Sequence, residues 1–410
     1  MKTKYLILGA GPAGLAFACA LKRRGETDFY VVEKEETVGG LCRSQTVDGA
    51  PIDIGGGHFL DVRRLNVSNF LFDYMPKSEW NRFERDSRIR LSLLPKADAS
   101  KKKEYELHHP FEANIWELPA AIQKRFLESI AQAGCNTGVP APEKFVDWIT
   151  WKLGDEIAKE YMLPYNRKMY GDNLNELGTY WLEKLPNVSY EQTLESCKKK
   201  QPMGTQPGHS QFYYPKKHGY GELWIRMGDE LGDRLITGHS VKMLDCMNCE
   251  AILDDSSVIS ADKIVVTVPW ESMELKWAPS GIRNCVKLLK KTSVDVTYME
   301  DAPDSEAQWI YYPNEELSYH RILMRGNFYD GAKGCWTETR SERHEANILE
   351  ANFYNEYAYP LNTIAKPGAI AKILDFAEKS HIYGLGRWGE HSHFNSDVTV
   401  DRALKLAERI

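Results

Sequence analysis

Residues 3–34 read TKYLILGAGPAGLAFACALKRRGETDFYVVEK, and this stretch decides the fold. Tyr5–Leu8 is an apolar run of the kind found in a strand buried on both faces. It leads straight into Gly9-Ala10-Gly11-Pro12-Ala13-Gly14, then into a helical pattern from Leu15 to Arg24. A second strand, Phe29–Val32, ends on Glu33. Gly9 permits the tight turn, Gly11 lets backbone approach a pyrophosphate, and Gly14 lets helix and strand pack closely. Pro12 and Ala13 sit in the same turn, where the helix N-terminus offers free N–H groups and a positive dipole end. Glu33 is placed to accept a hydrogen bond from a ribose hydroxyl. A glycine-rich turn alone is a weak signal. Strand, turn, helix, strand and terminal acid at this spacing imply an α/β, Rossmann-type dinucleotide site.

The next residues bear on which dinucleotide. Glu33 is followed by Lys34-Glu35-Glu36-Thr37-Val38-Gly39-Gly40-Leu41-Cys42-Arg43. An acid, a short spacer, two glycines and an arginine resemble the second fingerprint of FAD-dependent oxidoreductases of the glutathione-reductase and amine-oxidase type. That resemblance implies FAD rather than NAD. It places Lys34, Gly40, Leu41 and Arg43 beside the cofactor, with the arginine near its phosphates. Farther on, Ile52-Asp53-Ile54 runs into Gly55-Gly56-Gly57-His58. Three glycines suggest backbone lying against something flat, with a flavin ring as one candidate. A loop that needs positive φ is the plainer reading.

Length and composition bound the rest. A chain of 410 residues with 42% apolar and 27% charged residues has the profile of a globular protein of two or three domains. A formal net charge of −6 argues against a nucleic-acid binder. No apolar run is long enough for a spanning helix. The first strand starts so near Met1 that no signal peptide is expected, so the reading is cytoplasmic. The 8 cysteines are scattered. Cys246-x-x-Cys249 lies in a polar turn and lacks a second pair, so neither a disulfide framework nor a metal site is expected.

Periodicity then divides the chain. Residues 64–82 have a helical pattern; Arg85–Leu91 and Tyr105–Leu118 alternate like strands, with turns at Pro110 and Asn114. The stretch 119–204 is helical and interrupts the α/β order. The expected architecture is discontinuous. Residues 1–80, 205–275 and 380–410 form a Rossmann-type FAD domain, 81–118 and 276–379 a β-rich substrate domain, and 119–204 a helical insertion.

More specific motifs resemble UDP-galactopyranose mutase, within the amine oxidase and protoporphyrinogen oxidase superfamily. They are Tyr165-Asn166-Arg167-Lys168-Met169-Tyr170, His109-Pro110-Phe111-Glu112-Ala113-Asn114, Trp309-Ile310-Tyr311-Tyr312-Pro313 with Tyr319-His320-Arg321, and Tyr359-Pro360. The tail is similar as well: Gly386-Arg387-Trp388-Gly389, then Asp397-Val398-Thr399 opening a helix. The resemblance implies that Gly56, Gly57, His58, Val241, Gly386, Arg387, Asp397 and Val398 approach the flavin. It implies that Asn166, Tyr170, Tyr311, Arg321, Tyr359 and His393 line the substrate site, with His58 and Arg321 in catalytic roles. The ordinary pKa of His58 allows acid–base work, and modulating flavin N5 or positioning the loop are equal readings. Arg321 can fork onto phosphate oxygens.

The implied activity is a redox-neutral pyranose/furanose mutation of a nucleotide-diphosphate sugar, with N5 of reduced FAD as nucleophile and NADPH or NADH as reductant. Its setting would be cell-surface polysaccharide biosynthesis. The alternative is an amine oxidase or a protoporphyrinogen-oxidase-like enzyme. The substrate is a small molecule, and a homo-oligomer is compatible with the reading. Two departures stand out. His393 occupies the position of a tail tyrosine, near His391, and the arginine expected after Trp181-Leu182 is replaced by Lys184.

Overall fold

The computed structural model describes residues 1–95, 101–182, 187–204, 210–343 and 352–410. Strand β1 (Lys2–Leu8) runs parallel to β2 (Phe29–Val32) on one side and to Val258–Val266 on the other. The sheet around it runs Glu274–Lys276, Val241–Asp245, Glu250–Leu253, Val258–Val266, β1, β2, Leu235–Ile236, with Ile382–Gly384 also pairing onto Val258–Val266. Side chains alternate between its faces. Tyr5, Ile7, Val31 and Val265 pack with helix α1 (Pro12–Arg23) and with Val400, Ala403 and Ala407 of the helix Ser396–Arg409. Leu6, Leu8, Val32, Ile264 and Val266 pack on the other side with Cys285 and with Ala369, Ile373 and Ala377.

That second cover corrects the expected boundaries. Helices Ser280–Lys287 and Lys366–Lys379 lie on the nucleotide sheet, although their sequence positions suggested the β-rich unit. A largely parallel sheet must be covered on both faces, and helical periodicity does not say which sheet a helix will cover.

The second sheet runs Asn352–Pro360, Lys291–Met299, Cys335–Arg340, Arg321–Leu323, Trp309–Tyr311, Ser87–Leu93, Lys103–His108. Its pairings are antiparallel except where Trp309–Tyr311 meets Ser87–Leu93. Two local readings change. The helix expected over 64–82 stops at Phe72, and Trp80–Glu84 is a strand paired with Gln211–Pro215. Pro76, lacking an N–H, cannot carry a helix across that gap. The strand expected through residue 118 ends at His108, and Phe111–Asn114 is helical. Helices Ala120–Ala131, Phe145–Ile157 and Leu163–Tyr170 enclose Phe111, Phe126, Phe145, Ile149 and Tyr161. The same cluster takes in Ile89 and Leu91, so this helical layer packs directly on the second sheet.

Candidate functional site

The glycine turn of β1 and α1 is built by close contact. Gly9 has φ +101°, and a Cβ on Gly14 would fall 1.9 Å from the Gly9 carbonyl oxygen. A Cβ on Gly40, whose φ is +54°, would come within 3.3 Å of the Gly11 Cα. The two glycine motifs therefore face one another across a gap that any side chain would narrow. Glu33 is buried, and its carboxylate accepts from the amides of Ala10 at 2.7 Å and Glu35 at 3.0 Å. Each oxygen keeps a lone pair for a further donor. The Glu33 carbonyl accepts from His239 N, and Val241, two residues beyond, packs against the core on that side of the sheet. Arg43 donates through Nε to the Gly40 carbonyl and lies 3.4 Å from Glu35, whereas Lys34 is exposed. Leu41 lies directly against Gly55.

The C-terminal motif closes onto the same turn. Gly386, with φ +76°, lies so near Ala13 that a Cβ there would be 2.6 Å from the Ala13 Cβ. Arg387 is half-buried and donates to the carbonyls of Phe394 and Ala358. Asp397 and Val398 occupy the first turn of Ser396–Arg409, and Asp397 is paired with Arg64 at 3.1 Å. A helix N-terminus and a half-buried guanidinium thus stand beside the nucleotide turn. This combination, with the glycine cradle, fits a dinucleotide whose negative charge lies at its centre.

The glycine triplet is explained by protein contacts. Gly55 abuts the Leu41 backbone, Gly57 abuts the Leu323 side chain, and Gly56 lies at φ +99° against the Glu338 carboxylate. These close approaches account for a glycine at each position, and the φ of Gly56 agrees with the plainer reading. His58 Nδ1 lies 2.7 Å from the Gly56 carbonyl, which can only accept, so Nδ1 carries the proton and Nε2 is left as an acceptor. Burial, and then the Arg387 charge, push the His58 imidazole down to about 4. It is therefore neutral at pH 7, and acid–base work on its ordinary pKa is not available to it.

Arg321, Tyr311 and Tyr359 come together, though far apart in sequence. Tyr311 and Arg321 are direct register partners on adjacent strands. Glu338, one strand over, is fully buried and holds Arg321 Nη2 at 2.7 and 2.6 Å. It also accepts from the Gly57 amide at 2.8 Å and from the Tyr359 hydroxyl at 3.4 Å. Burial pushes the Glu338 carboxyl up, but the Arg321 charge outweighs it and holds the group well below the carboxylate range. Arg321 Nε is buried without a partner among the described residues. Tyr165 packs edge-on to Tyr311 and to His320. The His393 ring lies 5.0 Å from Tyr359.

Of the other expected residues, Tyr170 is near enough to Tyr359 to act on its hydroxyl electrostatically. Asn166 is buried in its helix, donating to the Met162 carbonyl, and Tyr170 sits beside Trp181. Lys184 lies outside the described residues. Sequence reasoning missed Glu338, Tyr165 as a wall residue, and Arg85, which donates to the Tyr311 hydroxyl. Nothing in Trp336-Thr337-Glu338-Thr339-Arg340 marks a buried acid, because charged residues in a strand ordinarily face solvent.

Residues 7–74 match the NAD(P)-binding Rossmann-like domain family. Among solved structures, reduced UDP-galactopyranose mutase superposes at a TM-score of 0.85, with 20% identity, over 100% of this chain and 94% of that one. The chain has the UDP-galactopyranose mutase fold. Putrescine oxidase shares the wider architecture at a TM-score of 0.66 and 14% identity, over 100% of this chain and 99% of that one. Curated relatives match in part only. An uncharacterized protein in the nifH2 3'region of Methanothermococcus thermolithotrophicus is 48% identical over 52 residues, 13% of this chain and 49% of its own length. A Baeyer-Villiger monooxygenase of Pseudomonas aeruginosa is 35% identical over 91 residues, 22% of this chain and 15% of its own. The matches thus span half or less of the length of these relatives. Among the described residues, no helix is long and apolar enough to cross a membrane.

Proposed function

We propose that this chain is an FAD-dependent enzyme acting on a nucleotide-diphosphate sugar in a redox-neutral, pyranose/furanose mutase-type reaction. The observation that carries the reading is the wall formed by Arg321, Tyr311, Tyr359 and Tyr165 beside His58 and the glycine triplet. Hydroxyl donors around a guanidinium suit a diphosphate.

FAD would be held by Gly9, Gly11, Gly14, Glu33, Gly40, Arg43, Gly386 and the first turn of Ser396–Arg409. When bound and reduced, it would supply the nucleophilic electron pair for the anomeric carbon. Tyr311 and Tyr359 would hold the departing diphosphate by hydrogen bonds and keep it close for its return. Arg321, clamped by Glu338, would offer it further N–H donors. His58, neutral and presenting Nε2, would accept a hydrogen bond from the reacting group rather than donate a proton. NADPH or NADH would serve only to reduce the flavin beforehand.

The oxidase reading rests on the fold shared with putrescine oxidase. The test is anaerobic. Dithionite-reduced protein is incubated with a panel of sugar nucleotides, and products are separated by chromatography and weighed by mass spectrometry. The expected product is an isomer of unchanged mass. Oxygen uptake with an amine or polycyclic substrate, and no isomer from any sugar nucleotide, would replace this reading with the oxidase.

A further inference from the structure

Tyr311 is held from two sides. Trp309 Nε1 donates to its hydroxyl oxygen at 2.9 Å, and Arg85 Nη2 donates to the same oxygen at 3.2 Å. A phenol oxygen has one hydrogen and two lone pairs. With two N–H groups on those lone pairs, the hydroxyl has only its own hydrogen left to offer.

Arg85 is itself well anchored. Its Nε donates to Ser87 Oγ at 3.0 Å, and its guanidinium lies 4.9 Å from the centre of the Trp309 ring. It makes no ion pair among the described residues; the neighbouring Asp86 is taken by Arg88 at 2.7 Å. The other groups facing it add no negative charge. His109, whose ring lies 5.3 Å from that of Tyr311, is neutral, pushed down to about 3 by burial and then by Arg85. On the next strand the Arg321 charge is already matched by Glu338. Arg85 therefore brings the uncompensated positive charge of this part of the wall.

We propose that Arg85 is a positioning residue: with Trp309 it locks the Tyr311 hydroxyl as a one-way donor, committing that point of the wall to an anionic acceptor such as a phosphate oxygen. The inference rests on the nucleotide-diphosphate reading and deepens it. An ammonium group arriving at the same place would meet a hydroxyl hydrogen and an unpaired guanidinium. Both are repulsive, so the arrangement also selects against alkyl amines.

The test is a double-mutant cycle on the FAD-loaded protein, with UDP as the probe and calorimetry as the readout. Arg85→Met and Tyr311→Phe should each weaken UDP binding about tenfold, the loss of one hydrogen bond to a charged group. Because Arg85 acts through the hydroxyl as well as by its charge, the loss in the double variant should fall clearly short of the product of the two single losses. If the two losses multiply, or if Arg85→Met leaves UDP binding unchanged, the inference is overturned while the function stands. If the unaltered protein binds neither UDP nor any other nucleoside diphosphate of a panel, both fall together. FAD content, read from visible absorbance, reports folding. Should Arg85→Met fail to retain FAD, Trp309→Phe removes the other lock and must show the same coupling to Tyr311→Phe.

Discussion

The glycine turn and the tyrosine–arginine wall, the two halves of the candidate site, are held together in opposite ways. At the turn, backbone packs on backbone: Gly14 against Gly9, Gly40 against Gly11, Gly386 against Ala13. At the wall, charged and hydroxyl side chains from several strands hold one another, with Glu338 at the centre. A site of the first kind tolerates no added atom. One of the second kind tolerates no lost partner.

Substitutions can break that contrast on either side. Gly14→Ala would push a methyl group into the Gly9 carbonyl, so the expected outcome is protein without bound flavin, seen as missing visible absorbance. Gly281→Ala, at a helical glycine with open space around it, should retain flavin and full stability. On the wall, Glu338→Ala leaves Arg321 largely buried and without its partner, with an expected loss of about 3 kcal/mol in urea unfolding. Adding Arg321→Met to that variant should recover part of the loss. Equal losses in the single and double variants would show that Glu338 acts mainly through Gly57.

A finer contrast uses pH. Asp53 is fully buried, accepting from Ser44, Tyr214 and Tyr220, and burial pushes its carboxyl from 3.8 up to about 7. A folded-state pKa above the unfolded one favours folding below the unfolded value, and that contribution is lost as pH rises through the folded value. Asp53→Asn should therefore gain on the unaltered protein, by a few kcal/mol, between roughly pH 4 and 7. A constant difference across that window would contradict the assignment. The smallest effect concerns His58. Its imidazole is lowered from 6.5 to about 4, so turnover should show no step at the ordinary histidine pKa. A step near neutrality that His58→Gln abolishes would show that the ring is charged there.

The same contrast explains what the sequence made legible. Gly9, Gly11, Gly14 and Glu33 lie within one βαβ unit, and local spacing carries their geometry. The tail motif around Gly386 could be placed only by resemblance, because its packing on Ala13 joins distant parts of the chain. Arg321 and Tyr311 were readable as chemical types, and their strand register brings them together. Glu338 was not readable, because an acid inside Trp336–Arg340 looks like a solvent-facing residue until the neighbouring strands cover it. His58 was named from its motif, but the lowering of its pKa was not legible there, since burial and Arg387 are not written in the motif. The two histidines of the tail divide in the same way. His391 is buried and tied to the Lys290 carbonyl, while His393 reaches Tyr359.

The central claim is redox-neutral chemistry on a nucleotide sugar, and one measurement tests it most directly. Under argon, the flavin is reduced once with dithionite and a sugar nucleotide is added in large excess. Product is then counted per flavin while visible absorbance is followed. The account predicts many equivalents of an isomeric product per flavin, with the absorbance remaining bleached throughout. Product that forms only when oxygen is admitted, in step with oxygen consumed and with a change in mass, would contradict it.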